Sequence, residues 1–124
     1  MYINYNIRGI RGEALDGFPC VFEISLPFFK KCIENGFSQN DASVATLLKI
    51  ISNIDDTNII TRSDFETLKK MQKKTRGFLK NAKKPLEYIE FSRKSDEEFI
   101  NLNISPGGSA DLLALTLFMY FFEK

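Results

Sequence analysis

The sequence ends with SPGGSADLLALTLFMYFFEK, residues 105–124, and this stretch decides the fold. From Leu112 to Phe122 only Thr116 is polar, so a helix formed here has no face suited to water. The run is also too short to cross a bilayer, which takes about 20 apolar residues. It therefore predicts a central helix that is covered on all sides by other helices of a bundle.

The preceding chain carries helix start and stop signals rather than strand signals. Pro27 and Pro85 are typical of the first turn of a helix, and Gly36 is typical of a helix end. Two pairs resemble capping boxes, which are Ser38 with Asp41 and Ser63 with Glu66. Ser95 with Glu98 indicates a restart after the Pro85 segment. The opening YINYNI is too short to support a sheet. We predict an all-α helical bundle without internal repeats.

Apolar residues at helical spacing predict which faces are buried. The predicted stripes are Leu26, Phe29 and Ile33; Val44, Leu47, Leu48 and Ile51; and Leu68, Met71, Thr75, Phe78 and Leu79. We do not expect the few helices with these apolar stripes to cover the last helix alone. We therefore expect either a further part of the domain or an oligomeric partner.

Composition limits the chemistry that the chain can perform. The 124 residues include 17 Lys and Arg against 16 Asp and Glu, so a net charge of +1 predicts neither a nucleic-acid nor a membrane partner. Two cysteines and no secretory signal predict buried free thiols in a cytoplasmic protein. Because histidine is absent, His-dependent triads are excluded, and acid, base or metal chemistry must rest on carboxylates and oxygen-liking ions such as magnesium.

A basic run between Lys69 and Lys84 raises the possibility of polyanion binding. It contains eight cations and no acid: Lys69, Lys70, Lys73, Lys74, Arg76, Lys80, Lys83 and Lys84. On a helix, however, most of them lie opposite the apolar stripe, where a solvated outer face is expected. We interpret the run mainly as that outer face.

Two polar stretches could hold a phosphorylated ligand. GIRGEALDGFP, residues 9–19, frames Arg11 and Glu13 with glycines and could bind a phosphate or a ribose, or form a salt-bridged surface turn. DDTNIITR, residues 55–62, supplies oxygens from Asp55, Asp56, Thr57 and Asn58 at a helix end and a cation from Arg62. It suits magnesium with substrate phosphates, or a simple capping turn.

The third stretch is the start of the last helix. If Ser105 caps this helix and Pro106 is its first residue, Gly107 and Gly108 expose backbone N–H groups at the positive end of the helix dipole. Two glycines cost about 1 kcal/mol each in a helix, and capping alone does not need them. We therefore expect a phosphate there, with Asp111 in the same turn as a base, a metal ligand or a residue that offsets the dipole.

Three motifs of the chain are GIRGEA with GFP, DDTN with a nearby arginine, and NISPGGSADLLALTLF. In order and spacing, they closely resemble the C-terminal half of the triphosphoribosyl-dephospho-CoA synthases. Asp55 stands where that family usually has glycine, and Ser63-Asp64 stand where it has a glycine pair. The family's N-terminal half is not in this chain. The resemblance implies that residues 1–124 are a single all-α domain or the C-terminal part of a larger one.

The resemblance implies that ATP and 3′-dephospho-CoA are the substrates. The 2′-hydroxyl of dephospho-CoA would attack the ribose C1 of ATP and release adenine, giving the prosthetic-group precursor for the acyl carrier of citrate lyase or malonate decarboxylase. It also implies a partner, either the N-terminal half of the enzyme or a second copy of this chain. The alternative is a non-catalytic helical fragment that binds a nucleotide or a partner subunit.

Each candidate residue then receives a role as a hypothesis. Glu13 and Asp111 are candidates for the general base, and Asp56 and Asn58 for binding Mg²⁺. The candidates for binding phosphate are Arg11, Arg62, Ser105, Gly107, Gly108 and Ser109.

Overall fold

The computed structural model describes residues 19–55, 65–101 and 107–123. All regular structure in these ranges is helical, which confirms the predicted all-α bundle. A π-helical turn, Cys20–Ser25, leads into α1 (Leu26–Glu34), α2 (Gln39–Asn53), α3 (Phe65–Asn81), α4 (Pro85–Asn101) and α5 (Gly107–Glu123). Within these ranges, none of the helices has the length and apolar character that a membrane crossing requires.

Several helix boundaries follow the sequence signals. Pro27 lies in the first turn of α1, and Gly36 follows this helix with a φ of +92°, a conformation that glycine adopts without strain. The Ser38 hydroxyl caps α2 by accepting the backbone N–H of Asp41 at 3.1 Å. The predicted restart at Ser95 is wrong, because α4 continues without a break to Asn101.

At the start of α4, the Glu87 side chain performs the capping. Its Oε1 accepts the backbone N–H groups of Lys84 at 2.9 Å and Lys83 at 3.1 Å. These hydrogen bonds favour the ionised carboxylate and lower the pKa of Glu87. A glutamate that reaches back to the first residues of its helix is one half of a capping box.

Helix α2 is the centre of the bundle. It packs against the π-helical turn and against α1, α3, α4 and α5. Residues outside the predicted apolar stripe of α2 are therefore buried as well. Within that stripe, Val44 and Leu47 are only half-buried. The buried residues of α2 are Ala42, Ala45, Thr46, Leu48, Ile50, Ile51 and Ser52.

Helix α3 has one buried apolar face and one exposed basic face, as predicted. Leu68, Met71 and Thr75 are buried against the bundle, while all eight cations between Lys69 and Lys84 are exposed. Two of the lysines pair with carboxylates of other elements, Lys69 with Asp55 at 3.0 Å and Lys74 with Glu98 at 2.6 Å. The interpretation of the run as a solvated outer face is confirmed.

Helix α5 is covered on one side only. Ser109, Leu112, Thr116 and Tyr120 recur at helical spacing and are buried against the rest of the bundle. Three phenylalanines, by contrast, are 64%, 49% and 67% exposed, namely Phe118, Phe121 and Phe122. Among the described residues, the other helices thus cover one face of α5, as their few apolar stripes indicated, and cover of the other face stays a prediction.

A buried pair of hydroxyls joins α5 to the π-helical turn. The Oγ of Ser25 and the Oγ1 of Thr116 lie 2.7 Å apart, and both residues are fully buried. The Thr116 hydroxyl can also donate to the carbonyl of Leu112 at 2.8 Å, and the Ser25 hydroxyl to the carbonyl of Val21 at 3.4 Å, so either hydroxyl can be the donor between the two. This pair links the two elements by a polar contact inside the core, and its loss would leave a buried hydroxyl poorly satisfied.

Replacing Thr116 with valine keeps the side-chain shape and removes the hydroxyl. We expect Thr116→Val to lower the free energy of unfolding by about 1 kcal/mol, since Ser25 loses its 2.7 Å partner in the core and keeps only the 3.4 Å contact with the carbonyl of Val21. Urea denaturation measures this change. Ser43→Ala is the matched control, because the Ser43 hydroxyl is hydrogen-bonded at the surface, to the carbonyl of Gln39, and should cost less than about 0.5 kcal/mol. Equal effects of the two substitutions would contradict a structural role for the buried pair.

Candidate functional site

Three chain segments that flank the polar stretches meet in one hydrophobic cluster. We call it the motif-end cluster; it consists of Cys20, Val21, Ile50, Ile54 and Leu112. Residues 9–19 end directly before it, residues 55–62 begin directly after Ile54, and residues 105–111 lead directly into Leu112. The described residues that flank the three stretches therefore lie close together in the bundle.

Side chains from α3 hold the end of α2 firmly at this cluster. The Gln72 Nε2 donates to the carbonyl of Ile54 at 2.8 Å, and the Arg76 Nε donates to the carbonyl of Ser52 at 3.0 Å. The last carbonyls of a helix have no partner within the helix, so these side chains satisfy them. The second polar stretch consequently starts from a fixed point of the scaffold.

Asp55, the first residue of that stretch, is bound by side chains of α3. Its Oδ1 accepts from the Lys69 Nζ at 3.0 Å and from the Gln72 Nε2 at 3.2 Å. Asp55 thus serves to attach the stretch to α3. In the ranges that the structure describes, no three Asp, Glu or Cys side chains gather where they could hold a metal ion. A magnesium site would have to draw on Asp56 and Asn58, which lie outside the described residues.

The start of α5 contributes the described part of the third stretch. Gly107 is half-buried and Gly108 buried, Ser109 is fully buried, and Asp111 is exposed. Asp111 lies beyond the first turn of the helix, one turn after Gly107 and on the same face. The expectation that it sits in the first turn is therefore wrong, but its carboxylate still faces solvent next to the glycine pair.

The other candidates, Arg11, Glu13, Asp56, Asn58, Arg62 and Ser105, lie outside the described residues, and their roles remain predictions. The described scaffold nevertheless brings two opposite helix ends to one place. The C-terminus of α2 attracts cations, whereas the N-terminus of α5 attracts anions. Such a pair of ends suits a phosphate chain together with its counter-ion.

Gln72 is a residue of this region that the sequence analysis missed. It lies inside the basic run, yet it is 1% exposed because it falls on the buried face between Leu68 and Thr75. A polar side chain at that helical spacing, one turn after Leu68, is the signal that could have identified it. Its Oε1 is buried and has no hydrogen-bond partner among the described residues.

Comparison with known proteins gives a match over the whole chain. The family described as CitG, ATP:dephospho-CoA triphosphoribosyl transferase, matches residues 1–124. The chain belongs to the CitG family. No solved structure shows significant similarity to it.

Curated relatives of the CitG family are longer proteins. The chain is 42% identical over 120 residues to "Protein CitXG" of Leuconostoc mesenteroides subsp. cremoris, covering 95% of this chain and 25% of that protein. It is 37% identical over 120 residues to the 2-(5''-triphosphoribosyl)-3'-dephosphocoenzyme-A synthase of Pectobacterium atrosepticum, covering 97% of this chain and 38% of the relative. A probable synthase of the same name from Streptococcus mutans is 32% identical over 124 residues, with 100% and 42% covered. The chain thus spans between a quarter and about two fifths of the length of these relatives.

Replacing Gln72 with methionine removes both donated hydrogen bonds at similar side-chain length. We expect Gln72→Met to lower the free energy of unfolding by about 1–3 kcal/mol, because the carbonyl of Ile54 loses its donor. The amide of Ile54, which closes the last turn of α2 on Ile50, should exchange faster with solvent. Gln39→Met, at an exposed position of α2, is the control for both measurements. Unchanged exchange at Ile54 in Gln72→Met would show that Gln72 does not hold the start of the second stretch.

Proposed function

We propose that this chain takes part in transferring the triphosphoribosyl group of ATP to the 2′-hydroxyl of 3′-dephospho-CoA, with release of adenine. The meeting at the motif-end cluster of the described segments that flank the three polar stretches carries this proposal. The match to the CitG family over residues 1–124 supports it. Such a transfer fits a cytoplasmic protein and the production of a carrier-protein prosthetic group.

The reaction forms one bond and breaks one. The 2′-hydroxyl oxygen attacks the ribose C1 of ATP and loses its proton to a base, while the bond from C1 to adenine breaks and adenine leaves with the electron pair and gains a proton. Asp111 or Glu13 is the proposed base for the hydroxyl. Asp111 is the one whose position is described, exposed beside the glycine pair.

The triphosphate remains on the sugar and needs a firm anchor during transfer. The N-terminus of α5 offers backbone N–H groups at Gly107 and Gly108, with no side chain in the way and with the positive end of the dipole behind them. Arg11, Arg62, Ser105 and Ser109 are the further proposed phosphate ligands. Magnesium, held by Asp56 and Asn58, would neutralise part of the phosphate charge.

The exposed face of α5 links this site to a partner. Asp111, Phe118 and Phe122 lie within one narrow stripe, since positions seven and eleven residues apart nearly coincide around a helix. A surface that covers the two phenylalanines would therefore extend along α5 towards Asp111. We propose that this surface is the rest of the enzyme, or a second copy of the chain, and that it completes the site.

Adenine release distinguishes an enzyme from a fragment that only binds. With ATP and dephospho-CoA, we expect the 124-residue chain alone to release little or no adenine, and a mixture with the remaining segment of a CitG relative to release it. Adenine is quantified by chromatography. Binding of both substrates without release in the mixture would favour the non-catalytic alternative.

Within an active mixture, Asp111→Asn should reduce the rate of adenine release at least tenfold if Asp111 is the base. Asp96→Asn, at another exposed position, should leave the rate unchanged. If both variants release adenine at the same rate, Asp111 is not the base and Glu13 remains.

The exposed phenylalanines predict self-association of the isolated chain. Sedimentation should show a dimer or a larger species, because a symmetric pair hides the apolar face of each copy. Phe118→Ser combined with Phe122→Ser should shift the chain to monomer. Leu86→Ser combined with Ile100→Ser changes two exposed apolar residues of α4 instead and should leave the association unchanged. A wild-type monomer would contradict the proposed docking face.

A further inference from the structure

A groove that runs from the end of α2 to α1 concentrates positive charge. It consists of two adjoining cavities, of about 780 and 240 Å³, which share Lys49. The five cations that line it come from α1, α2, α3 and the segment between α3 and α4, and they are Lys31, Lys49, Arg76, Lys80 and Lys83. We call it the cationic groove; it contains none of the residues assigned to the transfer reaction.

No carboxylate lines either cavity in the described part of the chain. Elsewhere on the bundle, Lys69 and Lys74 each pair with a carboxylate. None of the five groove cations makes a salt bridge with a described residue. In a chain whose net charge is only +1, five unneutralised cations along one groove create a local positive potential that attracts anions.

Two of the cations are held in position by neighbouring groups. The Arg76 Nε donates to the carbonyl of Ser52 at 3.0 Å, so its guanidinium is fixed at the edge of the smaller cavity. The Lys49 Nζ lies 5.6 Å from the centre of the Phe28 ring, within the range of a cation–π contact. Lys49 is thereby kept at the junction of the two cavities.

The larger cavity has an uncharged floor beneath its lysines. Phe28, Phe37, Ala82 and Tyr88 line it together with the Asn35 amide. Burial raises the pKa of the Cys32 thiol to about 11 and is the main cause that raises the pKa of Tyr88, so both groups are neutral at pH 7. Two carboxylates adjoin lining residues in the sequence, Glu34 before Asn35 and Glu87 before Tyr88, and neither lines the cavity. Glu87 accepts the backbone N–H groups of Lys83 and Lys84.

We propose that the cationic groove is a second binding site, for an organic phosphate of the nucleoside polyphosphate class. The phosphates contact the lysines and Arg76, and the uncharged part of the ligand packs on the apolar floor. Both the volume of the larger cavity and its mixture of apolar walls with a few charged groups are typical of small-molecule sites. Lysine binds phosphate as a point charge, so the site selects charge and size rather than a fixed phosphate geometry.

The test measures ATP binding to the 124-residue chain by isothermal titration calorimetry. Lys49→Met removes the cation that both cavities share and should weaken ATP binding about fivefold. Lys70→Met is the matched control, because Lys70 is an exposed lysine of α3 outside the groove; it should bind ATP as the wild type does. Thermal unfolding of each variant verifies that the fold is kept.

Titrations with tripolyphosphate and with adenosine measure separately how much the phosphates and the nucleoside of ATP contribute to binding. We expect ATP to bind more tightly than tripolyphosphate, adenosine to bind weakest, and Lys49→Met to weaken both phosphate compounds. The groove is not the site if Lys49→Met and Lys70→Met have equal ATP affinities, or if wild type does not bind millimolar ATP. Equal affinities for ATP and tripolyphosphate would overturn the apolar contribution. None of these outcomes bears on adenine release, which tests the transfer reaction separately.

Discussion

Everything else in the described structure depends on one constraint, the need of α2 to touch five neighbouring elements at once. A helix can do this only if the residues at its contacts are small enough for other backbones to approach. Ala42, Ala45, Thr46 and Ser52 meet this condition, and all four are buried. The larger Leu48, Ile50 and Ile51 fill the spaces between the neighbours. Helix α2 is thus the central helix of the bundle, and the direction of its C-terminus decides where the second polar stretch begins.

The local signals of the sequence predicted the helices well because each signal acts within a few residues. The Ser38 cap, the Pro27 start and the Gly36 stop are interactions of neighbouring residues, and all three are found in the structure. The burial of α2 could not be predicted in the same way. A stripe of apolar residues shows one buried face, whereas a helix with neighbours on several sides buries alanine, serine and threonine that carry no apolar signal.

The candidate site was predictable as a set of residue types but not as a place. Glycine before a helix and carboxylates after one are visible in the sequence, and so is the resemblance that links them. That Cys20, Ile54 and Leu112 share one cluster depends on the packing of α5 against α2, which no local pattern encodes. Gln72 was missed for the same reason, since its role is a contact with the end of another helix. The same holds for the cationic groove, whose five cations come from four different segments.

The glycine pair at the start of α5 illustrates how stability and function are balanced in this chain. Glycines at 107 and 108 weaken the start of the helix, and the apolar residues from Leu112 onward compensate by burying one side against α2, α1 and the π-helical turn. The Ser25 and Thr116 hydroxyls then fix α5 along that contact. The uncovered side follows from the same arrangement, because a helix that is apolar all round can be satisfied only by neighbours on every side. The exposed apolar stripe that leads to Asp111 is therefore the face of α5 to which the proposed partner surface would bind.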